Sequence, residues 1–197
     1  MRKGFQKAIC HRLLEKPLLT MLAQLEPMIE APIRRWPLER LPGTRPRIAI
    51  ENLRSLRGQI QPRCHFGAFR AMMDGWITAR RFGIRGRQCY MGCQEEDSLQ
   101  HYANCTVIAG VAARQFGLHR AGTPATRLQR FLLVDKFENK EELIKQARWT
   151  GTVYAWHNLC RHTAALNTVT ARTEALKHCL RDTLAGSNTT SSSGRST

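Results

Sequence analysis

Apolar residues recur along this chain at intervals of three and four, the spacing that places them on one face of an α-helix. Phe5, Ile9, Leu13, Leu18, Leu22, Leu25 and Ile29 trace such a face over residues 4–30, with Pro17 breaking or kinking it. Residues 48–58 read as a short helix ending at Gly58. Residues 64–82 read as a longer one, with Phe66, Phe69, Met73, Trp76 and Ile77 in its stripe and Gly83 at its end. Asp97 followed by Gln100 has the pattern of a capping box and opens a helix that runs to Phe116, where Gly117 stops it. Thr123 then Pro124 starts another, presenting Leu128, Phe131 and Leu132, because a proline in the first turn loses an N–H that would be unpaired anyway. Asn139 with Glu142 opens a long helix to about residue 166, with Trp149, Val153, Trp156 and Cys160 on one stripe and Glu141–Lys145 as a supporting i,i+4 pair. A last helix covers 168–185. Strand signals are scarce and there is no internal repeat, so the predicted fold is mostly α.

The stretches between these stripes set the organisation. Residues 31–47 hold five prolines and glycines and five arginines, which predicts a basic connector and not a packed element. The tail GSNTTSSSGRST has nothing to bury and is predicted to be disordered. Four regions result: an N-terminal helical and connector region over 1–60, a helix plus a cysteine-rich motif over 61–118, a C-terminal helical region over 119–185, and the Ser/Thr-rich tail over 186–197.

Charge changes the picture. The 197 residues carry a formal net charge of +16, which makes a polyanion the natural partner and an acidic membrane surface the other candidate. No run of about 18 apolar residues exists to span a bilayer. The N-terminal MRKGFQKAICHRLLEK lacks a secretory apolar segment, because Lys7, His11 and Arg12 interrupt it. It has no acid before Glu15 and is amphipathic, so an organelle transit peptide is the alternative to a first structural helix. Seven cysteines, an odd number, with no export signal argue against a disulfide framework and for a reducing compartment, nuclear or cytoplasmic.

Three of those cysteines fall within 17 residues, in RQCYMGCQEEDSLQHYANC. Cys89, Cys93, His101 and Cys105 are spaced C-x3-C-x7-H-x3-C. Gly92 permits a tight turn between the first two, and residues four apart on a helix share a face, so His101 and Cys105 point the same way. Two donors from a turn and two from a helix can close a tetrahedron around Zn²⁺, and four protein ligands leave no position for a reacting water. The expectation is a structural zinc-knuckle-like Cys3His site. The alternative is a set of buried cysteines beside a helical histidine. The middle spacing is too short for a ββα finger. Cys10, Cys160 and Cys179 lie on apolar faces and read as core; His157, Cys160, His162 and His178 form a weaker second metal candidate, and Cys64–His65 a candidate to assist the first.

Between residues 34 and 87 there are 13 arginines, no lysine, and three acids, a net +10. Arginine forks onto phosphate and stacks on bases. Arg80, Arg81, Arg85 and Arg87 lead into the first metal ligand, so they and Phe82 are the candidate nucleic-acid contacts, while Trp76 lies on a helical stripe and reads as core. Glu95, Glu96 and Asp97 make the loop between the ligand pairs acidic, so phosphate contact is expected on the arginine side only.

The stretch from Phe69 to Cys105 resembles the zinc-binding region downstream of the polymerase domain in non-LTR retrotransposon reverse transcriptases. The shared features are the segment Trp76–Arg81 with its Arg-Arg run, the paired Cys89 and Cys93, the acidic turn at Asp97, and His101-x3-Cys105. The resemblance implies that these four residues bind zinc and that the region engages template or target nucleic acid, RNA or DNA. It covers residues 64–110. No two aspartates are adjacent anywhere in the chain, so the polymerase's acidic motif is absent and no enzymatic activity is expected. The leading expectation is a non-catalytic, zinc-stabilised nucleic-acid-binding module; the alternative is a zinc-stabilised protein-interaction module that meets a partner through apolar helical faces.

Overall fold

The computed structural model describes residues 27–38, 45–118 and 122–185. The first apolar stripe before residue 27 and the Ser/Thr-rich tail lie outside these residues. Within them the chain is helical, and the only pairing of strand type is an isolated antiparallel bridge between Gln88 and Glu96. Residues 27–34 form a helical segment, followed by α1 (Arg45–Ser55), α2 (Pro62–Met72), α3 (Ala79–Phe82), α4 (Leu99–Asn104), α5 (Thr106–Phe116), α6 (Pro124–Phe131), α7 (Lys140–His162) and α8 (Val169–Ala185). None is long and apolar enough to cross a membrane.

Several helix ends form as the local signals require. Thr123 accepts a hydrogen bond from the Thr126 N–H ahead of Pro124, and Asn139 accepts from Glu142 N–H. Gly83 and Gly117 cap α3 and α5 in the left-handed conformation, at φ 66° and 64°. The Glu141–Lys145 pair is present at 2.7 Å.

Three elements differ from expectation. The stretch 64–82 is two helices, not one. Asp74 takes a left-handed φ of 48°, the Gly75 N–H returns to Arg70 O, and Trp76 swings back into the core with its indole N–H on Gly67 O. The turn is tight at Gly75, where a Cβ would sit 3.0 Å from Arg70 O. The helix expected from Asp97 to Phe116 is broken at Cys105, whose ψ of 123° ends α4 and starts α5. The connector over 31–47 contributes to the packing: Ile33 is buried, and α1 begins inside that stretch with Arg45 and Pro46 buried.

One hydrophobic core draws on residues from Ile29 to Leu180. Its centre is α7, crossed by α2 and flanked by α8. The α2–α7 crossing is close because glycines meet there. A Cβ on Gly151 would lie 2.4 Å from Cys64 Cα, and one on Gly67 would lie 3.1 Å from Gly151 Cα. The buried faces of α7 and α2 include Trp149, Val153, Trp156, Phe69 and Met72. Asn52 of α1 donates to the carbonyls of Leu133 and Asp135, both at 2.9 Å, which ties α1 to the turn after α6. Cys89, Tyr90, Met91, Leu99, Tyr102 and Cys105 of the segment 79–105 belong to this core.

Candidate metal centre and its arginine flank

The Cys89–Cys93 segment is a small hairpin. Cys89 N–H donates to Glu95 O, Gly92 N–H to Cys89 O, and Asp97 N–H to Arg87 O, closing the loop around the Gln88–Glu96 bridge. Gly92 holds φ 78°, where a side chain is strained, and a Cβ on it would lie 2.8 Å from Val169 Cγ2 of α8, which would have to move. The Met91 N–H donates to Cys89 Sγ at 3.4 Å. Arg172 of α8 donates to Tyr90 O at 3.0 Å and fixes the hairpin against the helical body.

The second pair of donors comes from α4. Ser98, not Asp97, is its N-cap, accepting from His101 N–H at 3.1 Å. That places His101 in the first turn and Cys105 at the exit. The donor atoms of Cys89, Cys93, His101 and Cys105 all lie within 4.8 Å of one another, and the Cys93 and Cys105 sulfurs are 3.4 Å apart. Sulfurs bound to one tetrahedral ion at about 2.3 Å would be about 3.8 Å apart, so the cluster has the size of a metal shell. His101 Nε2 is buried and no group outside the cluster hydrogen-bonds it, which leaves it to the neighbouring sulfurs or to an ion. The Cys105 thiol is pushed down to about 4 by its hydrogen bond to Cys89, with His101 and the Ile108 N–H assisting against burial. Cys89 is pushed up by the same hydrogen bond and by burial, and Cys93 by burial. A dication among these sulfurs would relieve the crowding of their charges. The four residues therefore form a site that can hold a metal ion, with donors from opposite ends of the segment.

Asp97 caps a helix, but a different one from that expected. Its carboxylate is buried and accepts from Ala79 N–H at 2.9 Å, while its carbonyl accepts from Arg80 N–H at 3.2 Å, so it caps α3 across space. It also accepts from Tyr102 OH at 2.7 Å and bonds His157 Nε2 at 3.2 Å. Burial alone would raise its pKa, but the hydrogen bonds from His157 and Tyr102 outweigh that and hold it below the usual carboxylate value. Burial pushes His157 below its ordinary value, so it is neutral and donates Nε2–H to the ionised Asp97. Trp76, Tyr90 and Tyr102 surround the His157 ring at 5.2–5.7 Å between centroids. This hub joins α3, the metal hairpin, α4 and α7.

The arginine flank stands beside it. Residues 80–88 are all exposed. Arg80 and Arg81 occupy α3; Arg85 and Arg87 lie on the loop entering Cys89. Arg80 pairs with Glu96 at 3.6 Å, which couples the acidic arm of the hairpin to the basic helix. Arg81 donates to Trp76 O and lies over the Phe82 ring, and Arg87 lies over Tyr90. Phe82 is 54% exposed and Ile84 48%, whereas Trp76 is wholly buried.

Comparison with protein-family models, with curated proteins and with solved structures finds no match to this chain. Among the described residues, the other candidate cysteines and histidines do not join this cluster. His65 bonds Leu53 O at 2.7 Å and Cys64 packs on Gly151, so neither assists the metal site. His178 pairs with Asp182, and His157 with Asp97. Among the described residues no metal-sized cluster forms from His157, Cys160, His162 and His178.

Proposed function

We propose that the chain is a non-catalytic nucleic-acid-binding module stabilised by structural zinc. The donor set supports zinc: thiolates and an imidazole suit that ion, and four protein ligands complete its tetrahedron. With three thiolates and a neutral imidazole the ion stabilises the local fold on the order of 10 kcal/mol. The observation that carries the nucleic-acid reading is the exposed run 80–88, with four arginines between two anchors. Asp97 holds its start at α3, and Cys89 holds its end. Anchoring removes part of the entropy that a free loop loses on gripping a strand. The resemblance of this stretch to the retrotransposon zinc-binding region points the same way, to a template or target strand.

Phe82 and Ile84, exposed among the arginines, also suit a protein partner, which is the second reading. A salt series separates the two. Single-stranded RNA and DNA oligonucleotides bind the full chain with affinity that falls steeply with salt. Replacing Arg85 and Arg87 by alanine lowers the slope of log K against log salt by about 1.4, two phosphates at about 0.7 each. Changing Glu95 and Glu96 to glutamine does not weaken binding. An unchanged slope in the arginine variant, with weaker binding in the glutamate variant, would refute the proposal.

A further inference from the structure

A cleft of about 250 Å³ opens between the 27–38 segment and the start of α4. Arg35, Trp36, Asp74, Arg80, Arg81 and Gln100 line it. Two of these arginines belong to the run described above. Arg35 and Trp36 come from some 45 residues earlier, in a stretch whose spacing gives no sign that it meets α3. Trp36 is fixed: its indole N–H donates to Met72 O at 3.3 Å, and its ring is half-buried. Asp74, half-buried, lies near enough to Arg81, Arg35 and Arg80 for all three to act on its charge, although burial is the larger influence on its carboxyl.

The charge balance favours an anion. Three arginines and one carboxylate line the cleft, and Glu96 offsets part of Arg80 from outside. A positive excess remains, beside an aromatic ring. The volume lies just under the roughly 300–1,000 Å³ of pockets that enclose a whole small ligand, which leaves room for one nucleotide unit and not two. We propose that this cleft seats a single nucleotide of a bound single strand, its phosphate on Arg35, Arg80 and Arg81 and its base against Trp36. Asp74 competes with that phosphate for the same guanidiniums and so limits affinity. This assignment rests on the nucleic-acid reading and adds to it a defined seat that includes Arg35, Trp36 and Asp74.

The charges predict effects of opposite sign, which a general loss of structure cannot imitate. Fluorescein-labelled dT8 is titrated into the zinc-loaded full chain, with folding of each variant checked by zinc content and circular dichroism. Arg35→Gln weakens binding about fivefold or more and lowers the salt slope by about 0.7, one phosphate contact on a single strand. Asp74→Asn tightens binding about threefold; asparagine tolerates the left-handed backbone at that position, so the fold is kept. Of the four tryptophans, Trp76, Trp149 and Trp156 are buried, so quenching of tryptophan emission by unlabelled dT8 reports Trp36 and is lost in Trp36→Phe. Equal affinities in wild type, Arg35→Gln and Asp74→Asn, or binding without a change in tryptophan emission, overturn the cleft and leave the nucleic-acid reading standing. No binding of any oligonucleotide overturns both.

Discussion

Replacing Asp97 by alanine tests the physical link between the metal hairpin and the arginine helix. The carboxylate is the acceptor for three buried donors: Ala79 N–H, Tyr102 OH and His157 Nε2–H. Alanine removes all three bonds at once, and each orphaned buried donor costs about 1–3 kcal/mol. Some of this is recovered, because the Tyr102 hydroxyl can rotate and the carboxylate no longer has to be desolvated. A loss of about 4 kcal/mol is expected, against a total stability of about 5–15 kcal/mol for an ordinary domain. Asparagine is milder. Its oxygen can serve Ala79 N–H while its amide donates to Tyr102 and to a His157 that moves its proton to the unpartnered Nδ1, leaving a loss of about 2 kcal/mol from the charge-assisted bonds. The effect is local before it is global. Four residues make a marginal helix: Thr78 Oγ1 and the Asp97 carbonyl still accept from the Arg81 and Arg80 N–H groups, but the alanine variant loses the bond to Ala79 N–H in the first turn, so its amide exchange over 79–83 accelerates more than exchange in α7. Urea unfolding gives the free energies, and hydrogen exchange gives the location. An alanine variant within about 1 kcal/mol of wild type, with unchanged exchange at 79–83, would show that Asp97 does not hold this segment.

Other outcomes follow from the same geometry. Gly151→Ala drives a methyl against the Cys64 backbone, and since backbone cannot yield as a side chain can, the variant loses about 2–3 kcal/mol in urea unfolding; a neutral result would mean that α2 and α7 do not cross that closely. Acid weakens the fold in two windows. His157 has a lowered pKa when folded, so the native state binds fewer protons than the unfolded chain below its ordinary 6.5, and stability falls as pH drops through that value. Asp97 is lowered as well, and its contribution is lost further down, below its ordinary 3.8. His157→Gln removes about one proton from the uptake on unfolding near pH 6, measured from the slope of stability against pH; an unchanged slope would contradict a neutral, buried His157.

The parts legible in the sequence are those fixed by neighbours along the chain. Thr123–Pro124, Asn139–Glu142, Gly83 and Gly117 set helix ends through bonds spanning a few residues, and each end forms at the expected position. The quartet of Cys89, Cys93, His101 and Cys105 is legible because three thiols and an imidazole gathered this tightly suit metal ligation better than core packing, and the donors converge. What periodicity missed depends on distant partners. Apolar spacing continues from Phe69 through Trp76, but Trp76 is recruited by Gly67, Phe131 and Tyr154, and the chain turns at Asp74 to deliver it. The pattern Asp97-x2-Gln100 looks like a capping box, yet Asp97 is drawn to α3 and His157 and leaves the cap to Ser98. Gly67 and Gly151 carry no local signal of a helix crossing, because their meaning appears only when the two are opposite.

The most direct test of the account is the zinc content of the purified 197-residue chain beside its Cys93→Ser variant. Cys93 is only half-buried, so serine there leaves little packing defect and the comparison isolates the ligand. One zinc per wild-type chain, none retained by Cys93→Ser, and loss of amide protection over residues 85–110 in the variant are expected. Equal zinc in the two proteins would mean that the four donors do not hold the ion, and the anchored arginine run would lose its basis.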